Sequence, residues 1–331
     1  MNKPSTNTAR YDVTGIGNAI VDVLGFVDDE FLTRNNLNKG SMLLVDEARA
    51  AQLYAQMGQA TECSGGSVAN SLAGLASLGA KTAFIGKVKN DQLGHIFTHD
   101  LHTVGVNFTS KPASDGPSTA SCLVCVTPDA QRTMATYIGA CSDVSEADID
   151  QQQISQAAVL YIEGYLWDTE HAKAAIRRAM KVARDAGRKV AFTLSDTFCV
   201  DRHRAEFIDL IKNDIDILFA NEAEAKSLYQ VKDADEAINK LRGMCEIVAV
   251  TRSEKGSVVL TEGDVHSAPA QTVHRVIDTT GAGDLYASGF LFGLTRGWDM
   301  GSCAMLGNCC AAEIIQQVGA RSLRPLKELV A

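Results

Sequence analysis

The sequence lacks a basic surplus, a long apolar run and a paired cysteine framework, and each absence removes a class of function. Among 331 residues, 31 Lys and Arg stand against 40 Asp and Glu, a formal net charge of −9. A protein that grips a phosphate backbone needs basic surface to release counterions, so nucleic acid is not an expected partner. No apolar run approaches the length of a bilayer span, and residues 1–10 are polar, without the apolar stretch of a secretory leader. The expectation is a cytoplasmic chain without membrane contact, as monomer or homodimer. The nine cysteines (Cys63, Cys122, Cys125, Cys141, Cys199, Cys245, Cys303, Cys309 and Cys310) show no paired spacings, which points to reduced thiols. Cys122 and Cys125 have the C-x-x-C spacing of redox and zinc sites. They fall in the strand-like run 120–127, however, where an odd separation puts them on opposite faces.

Two nucleotide fingerprints are also missing. No G-x-x-x-x-G-K-[ST] loop occurs, and Gly15-Ile16-Gly17-Asn18-Ala19-Ile20-Val21-Asp22 lacks the third glycine of a dinucleotide turn. With 46% hydrophobic and 21% charged residues, the composition suits one large globular domain, with or without an appendage.

What is present centres on Asp278-Thr279-Thr280-Gly281-Ala282-Gly283-Asp284, a small-residue turn that runs into the apolar-periodic segment 285–294. The first N–H groups of a helix have no intrahelical acceptor and the macrodipole there is positive, so Gly281, Ala282 and Gly283 can offer bare donors to an anion. Asp284 in the first turn would stay ionised and near a transferring group, as a general base must be. The plainer reading is a helix cap beside an ordinary loop.

Along the chain, 11–23 reads as a first strand carrying polar Asn18 and Asp22, which need partners in an apolar setting. Residues 24–44 read as short strands and turns, followed by a helix over 46–57. A second glycine-rich helix start, Cys63-Ser64-Gly65-Gly66-Ser67-Val68-Ala69-Asn70, precedes a helix over 71–78 and a strand over 82–88. Its glycines fit either tight helix packing or the presentation of backbone donors and Asn70 to a polyol. After a helix over 91–104, the runs 118–126 and 131–137 around Pro128-Asp129-Ala130 predict a hairpin. Paired with the earlier excursion, it would form a small sheet over Asp22 and Gly65-Gly66, a cover that excludes water.

From residue 159 strands and helices alternate: strands at 159–163, 189–194 and 215–219, helices at 170–186 and 204–212. That cadence implies right-handed crossovers and a mostly parallel sheet covered on both faces. Asn221 and Glu224 follow a strand's carboxyl end, where open α/β sheets place ligands; a capped acidic helix start explains them equally. A helix over 233–242, strands at 247–251, 257–260 and 265–267, and a last helix over 301–317 complete the chain. Ala304, Gly307, Asn308, Ala311 and Ala312 on that helix would let a flat ring lie alongside.

Taken together, Gly17-Asn18, the double glycine, N-x-x-E and D-T-T-G-A-G-D resemble, in order and spacing, the ribokinase-like (PfkB-type) carbohydrate and nucleoside kinases over nearly the whole chain. The resemblance implies a three-layer α/β/α fold with a mostly parallel central sheet, one kinase domain over 1–331, and a small β-sheet lid formed by about 22–45 and 116–138. It implies ATP and magnesium as cofactors. Asp284 would be the base and Gly281, Ala282 and Gly283 the anion hole. Asn18, Asp22, Gly65, Gly66 and Asn70 would line the acceptor site. Asn221, Thr251, Gly256, Thr279 and Asn308 would lie on the nucleotide side, with Glu224 ordering magnesium through water. A monovalent cation such as potassium is implied at Asp278, Thr280 and Gly319.

Within the family, Gly17 to Asp22, Gly65 to Asn70 and Arg132-Thr133-Met134 look most like bacterial adenosine-kinase-type members, and the ribokinase form Gly-Gly-Lys-Gly-Ala-Asn is absent. Met134, Tyr137, Phe26 and Tyr165 are the residues available to face a purine, although scattered aromatics more often belong to a core. Adenosine and a free sugar such as ribose or fructose both remain open as acceptors. Two other classes are a regulator that kept the fold without turnover and a NAD-dependent oxidoreductase. Intact Asp284 argues against the first and the missing fingerprint against the second.

Overall fold

The computed structural model describes residues 9–129 and 131–330; most of the polar start and Ala130 of the hairpin tip lie outside them. In chain order the elements are β1 (Tyr11–Ile16), β2 (Ile20–Phe26), α1 (Asp29–Arg34), β3 (Met42–Leu44), α2 (Glu47–Gln56), β4 (Ala60–Gly65), α3 (Ser67–Leu78), β5 (Thr82–Ile85), α4 (Gln92–Thr103), β6 (Val106–Phe108), β7 (Ala120–Val126) and β8 (Arg132–Tyr137). They continue with α5 (Gln151–Ser155), β9 (Ala157–Glu163), α6 (Glu170–Asp185), β10 (Lys189–Thr193), α7 (Thr197–Asn213), β11 (Ile217–Asn221), α8 (Glu222–Tyr229), α9 (Ala234–Leu241), β12 (Ile247–Thr251), β13 (Ser257–Leu260), β14 (Val265–Ala268), α10 (Ala282–Leu294) and α11 (Met300–Ile314). No helix among them is long and apolar enough to cross a membrane.

A nine-stranded sheet runs β14-β13-β12-β11-β10-β9-β1-β5-β6, parallel except where β13 pairs with β12 and β14. Its central strands face two cores. On β9, Val159 and Tyr161 join one cluster with α3, α10 and α11, while Leu160 and Ile162 join the other with α6 and α7. Alternation on a strand buried on both faces gives this division and makes the three layers. Trp167, Phe192 and Phe207 stack edge to face in the second core, and Phe219, Tyr286 and Phe290 cluster in the first.

A five-stranded sheet, β3-β8-β7-β2-β4, stands beside it. The β7–β8 hairpin was expected there, but three assignments differ. The run read as one strand over 11–23 breaks at Gly17-Asn18-Ala19: β1 pairs with β5 and β9 in the large sheet, and β2 pairs with β4 and β7 in the small one. Asp22 therefore belongs to the small sheet rather than lying under it. The small sheet also takes in β4, outside the expected 22–45 and 116–138. Residues 29–34, expected in strands and turns, form a short helix because Asp28 accepts from the Phe31 N–H at 2.7 Å and caps it. Cys122 and Cys125 do lie on opposite faces, Cys122 toward a cavity and Cys125 in the core.

Candidate active site

Between the two sheets, at the carboxyl ends of β1, β9, β10, β11 and β12, lies a cavity of about 1710 Å3. One wall of it starts at Gly66, whose φ of 93° belongs to the left-handed region. A Cβ there would sit 2.3 Å from the Asn18 carbonyl oxygen, so only glycine lets α3 begin this close to the β1–β2 turn. The first turn of α3 thereby faces α10. Ser67 Oγ donates to Asp284 Oδ1 at 2.6 Å and Asn70 Nδ2 to Asp284 Oδ2 at 3.0 Å. Asn70 Oδ1 is buried without a partner among the described residues. Burial pushes the Asp284 carboxyl up, and the Ser67 and Asn70 bonds and the Arg321 charge hold it down.

Asp22 projects from β2 into the same cavity. Burial pushes it up to about 6 against the Arg321 guanidinium, with Asp284 adding to the rise and Arg132 opposing it. Gly65 corrects an expectation. It is not part of the cavity lining; a Cβ on it would lie 2.4 Å from Asp22 Oδ2, so its missing side chain makes room for that carboxylate. Asn18 lines the cavity, and its N–H donates to Glu163 Oε1 at 2.9 Å. Glu163 Oε2 accepts from the Val68 N–H at 2.9 Å. This fully buried carboxyl at the end of β9 pins the β1–β2 turn to the start of α3, and burial pushes it up to about 7.

At the foot of α10, Gly281 takes a left-handed φ of 78°. The Ala282 N–H turns back on the Thr279 carbonyl at 3.2 Å, so Ala282 contributes to the cavity wall and not to the set of bare donors expected of it. The N–H groups of Gly281, Gly283 and Asp284 have no acceptor among the described residues. No side chain would crowd a ligand at Gly283, whose face is open.

The expected cation site takes a different form. Asp278 Oδ1 accepts from the Thr280 N–H at 3.1 Å and the Thr280 hydroxyl at 2.8 Å, and Oδ2 accepts from the Gly319 N–H at 2.8 Å. Arg132 of β8 completes the set, with Nη2 2.7 Å from Asp278 Oδ2 and Nη1 donating to Thr280 Oγ1 at 3.0 Å. Gly319 offers an N–H, and a guanidinium supplies the positive charge. In this arrangement the Asp278 carboxylate is taken up by these donors and neutralised by the guanidinium.

At the end of β11, Asn221 and Glu224 form a capping box: Glu224 Oε2 accepts from the Asn221 N–H at 2.9 Å, and Asn221 Oδ1 from the Glu224 N–H at 2.8 Å. Both line the cavity. Burial pushes Glu224 up to about 7, with Asp196 and Asp284 adding to the rise. No cluster of three or more His, Cys, Asp or Glu among the described residues could hold a metal alone. A hard cation bound mainly by phosphate and water fits this single buried carboxylate, which has no positive partner among the described residues. Thr251, Gly256 and Thr279 line the cavity nearby. Asn308 does too, although its amide is bound to the Ala268 and Pro269 carbonyls, both at 3.0 Å. Ala304 and Gly307 face away, packed on α10, where a Gly307 Cβ would sit 2.8 Å from the Tyr286 ring; Ala311 and Ala312 remain open to a ring.

Met134 and Tyr165 line the cavity, but Tyr137 does not. On β8 the residues that face inward are Met134 and Thr136, so Tyr137 points the other way and its hydroxyl donates to Glu47 Oε2 at 3.1 Å. Phe26 is 74% exposed, outside the cavity. Sequence reasoning assigned no role to Glu163 or Arg321. A lone glutamate closing an apolar strand is the signal that would have found Glu163, since it sits like Asn221 at a strand's carboxyl end.

Comparison with known proteins agrees with this geometry. The profile of the pfkB family carbohydrate kinases matches residues 42–327. The chain is similar to an adenosine kinase from Sinorhizobium meliloti, at 48% identity with 97% of this chain and 99% of that one covered and a TM-score of 0.90. It is also similar to a probable sugar kinase protein from Rhizobium etli CFN 42, at 46% identity over 97% and 98% of the two chains with a TM-score of 0.91. The probable fructokinase-6, chloroplastic, of Arabidopsis thaliana is 28% identical over 285 residues, 80% of this chain and 73% of that protein. The chain belongs to the pfkB family of carbohydrate kinases and is a phosphotransferase with an alcohol group as acceptor.

Proposed function

We propose that this kinase transfers the γ-phosphoryl group of ATP to the 5′-hydroxyl of adenosine, giving AMP and ADP. The observation that carries the reading is Asp284, held by Ser67 and Asn70 at the mouth of a glycine turn whose bare N–H groups face the same cavity. The hydroxyl oxygen attacks the γ-phosphorus, its proton passes to the Asp284 carboxylate, and the bond to the β-phosphate oxygen breaks. Such a transfer asks the protein for position and charge stabilisation, which a base and a preorganised anion cradle supply. Magnesium, when bound with the nucleotide near Asn221 and Glu224, neutralises charge developing on the phosphates. The small sheet acts as the lid that keeps water out, and Asp22 and Met134 bring it against the acceptor.

For a nucleoside, the support is the combination of Asp22 and the unpartnered Asn70 Oδ1, suited to ribose hydroxyls, with the apolar wall of Met134, Ile20 and Tyr165. The 48% identity to an adenosine kinase agrees. A free sugar is the second reading, favoured by the similarity to a probable sugar kinase and to fructokinases. Steady-state kinetics with ATP, magnesium and a panel of adenosine, deoxyadenosine, ribose and fructose separates the two. Adenosine is expected to give the highest kcat/KM. Deoxyadenosine should be poor, because a site built to bond both ribose hydroxyls leaves a buried group unpaired when one is missing. A hexose or free pentose preferred over every nucleoside would sink the adenosine reading and leave the kinase chemistry standing.

A further inference from the structure

Three consecutive residues after α11 touch three parts of the site in turn. The Gly319 N–H holds Asp278 of the cradle at 2.8 Å. Ala320 lies against Gly281, where an added Cβ would meet the Ala320 Cβ at 2.7 Å. Arg321 then crosses to the acceptor side. Its Nε and Nη2 donate to the Ser64 carbonyl at 3.1 and 2.9 Å, Nη2 to the Ser64 hydroxyl at 2.8 Å, and Nη1 to the Ala69 carbonyl at 2.8 Å. Ser64 is the next-to-last residue of β4, beside Gly65-Gly66, and Ala69 precedes the Asn70 that holds Asp284.

We propose that Arg321 is a positioning residue for phosphoryl transfer, strapping the anion cradle to the turn that presents Ser67 and Asn70 and placing an unneutralised positive charge behind Asp22 and Asp284. Among the described residues no carboxylate forms an ion pair with this guanidinium; its donors go to carbonyls and a hydroxyl, so its charge is spent at longer range. Burial pushes the guanidinium down from its ordinary value, and the ionisable groups that oppose this are Asp100 of α4, Cys63 of β4, Asp22 of β2 and Asp284 of α10. Asp100 is itself occupied by the Ser64 N–H and hydroxyl, at 2.7 and 2.5 Å. On Asp22, Arg321 is the first-ranking opponent of burial, with Arg132 behind it and Asp284 working the other way. On Asp284 it acts with the Ser67 and Asn70 bonds. An arginine keeps its charge throughout the working pH range, so the bias is permanent. The inference rests on Asp284 being the base.

The test compares Arg321→Gln, which loses the charge but can still donate to Ser64, with Arg321→Lys, which keeps the charge and loses the fork. In the full chain with ATP, magnesium and the preferred acceptor, the acid limb of kcat/KM should move up by about one pH unit in Arg321→Gln, the low end for an opposite charge near a carboxylate. It should return to the wild-type position in Arg321→Lys, even though kcat/KM there falls. Carbon-13 titration of labelled aspartate carboxyls, assigned with Asp22→Asn and Asp284→Asn, reads the same shift without turnover. It therefore separates failure of this inference from failure to find an acceptor. Asp22 and Asp284 titrating alike in wild type and Arg321→Gln would overturn the proposal, leaving the kinase reading intact. Should Arg321→Gln not fold, Arg321→Leu takes its place. If neither folds, Arg321→Lys decides: an unmoved limb supports the proposal and a shifted one overturns it.

Discussion

Asp284 accepts two side-chain bonds from α3 in the first turn of α10, so the carboxylate proposed as the base is also a tie between two helices. The two roles separate on substitution. Asp284→Asn keeps the shape at the helix start and is expected to leave ATP binding largely intact, while turnover falls by on the order of 10²–10⁴, the usual worth of a positioned acid or base. Near wild-type turnover in that variant would reduce Asp284 to a tie between α3 and α10. Glu163 makes a different prediction. Its folded pKa of about 7 stands above the ordinary value, so between the two the folded state binds the extra proton. Stability from this group is therefore present at low pH and lost as pH rises through 7. Thermal denaturation of the ligand-free protein between pH 5 and 8 should show the advantage of wild type over Glu163→Gln shrinking as pH rises; a constant or growing difference would mean the carboxyl is ionised throughout.

Among the described residues of the β7–β8 hairpin, Arg132 ties the small sheet to Asp278 and Thr280. Arg132→Ala should leave the fold intact, because Asp278 retains the Thr280 and Gly319 donors. Released from the cradle, the hairpin would admit water, so ADP release without acceptor should rise relative to transfer and KM for the acceptor should rise with it. An unchanged ratio would show that the hairpin is not the cover. Since the guanidinium occupies Asp278, potassium is expected to leave wild-type turnover unaltered, and stimulation would mean that Arg132 yields its place to a cation.

How far the sequence reaches is clear at this same scale. The alternation from β9 to β12 and the hairpin were legible because strand and helix periods differ locally. The break at Gly17-Asn18-Ala19 was not, because both halves are apolar and β-branched and only their partners, β5 and β9 or β4 and β7, assign them to different sheets. Asp284, Asp22 and Asn70 were legible from motifs. Tyr137 failed because its facing depends on the phase of β8, while Arg321 lay hidden because its partners are backbone carbonyls more than 250 residues away.

At the scale of the molecule the cavity has two owners. Asp22 and Met134 come from the small sheet, whereas Thr251, Gly256, Glu224 and Asn308 are carried by the large sheet and its helices, and Asp284 stands between them. An acceptor bound across Asp22 and Asp284 bridges the two sheets; a nucleotide on Thr251, Gly256 and the cradle needs only one. Local opening of the small sheet should therefore respond to the acceptor, since a ligand stabilises only the state that it contacts. Hydrogen exchange of the full chain reads this directly. Adenosine should slow exchange in β2, β7 and β8 and in the first turn of α3, where Asn70 and Ser67 close on its hydroxyls. A non-hydrolysable ATP analogue alone should instead protect the start of α10 and the residues after β12, leaving the small sheet close to its ligand-free rate apart from the end held by Arg132. Equal protection of β2 and β7 by the analogue alone would mean that the sheets close on nucleotide, and the small sheet would then gate the donor and not the acceptor.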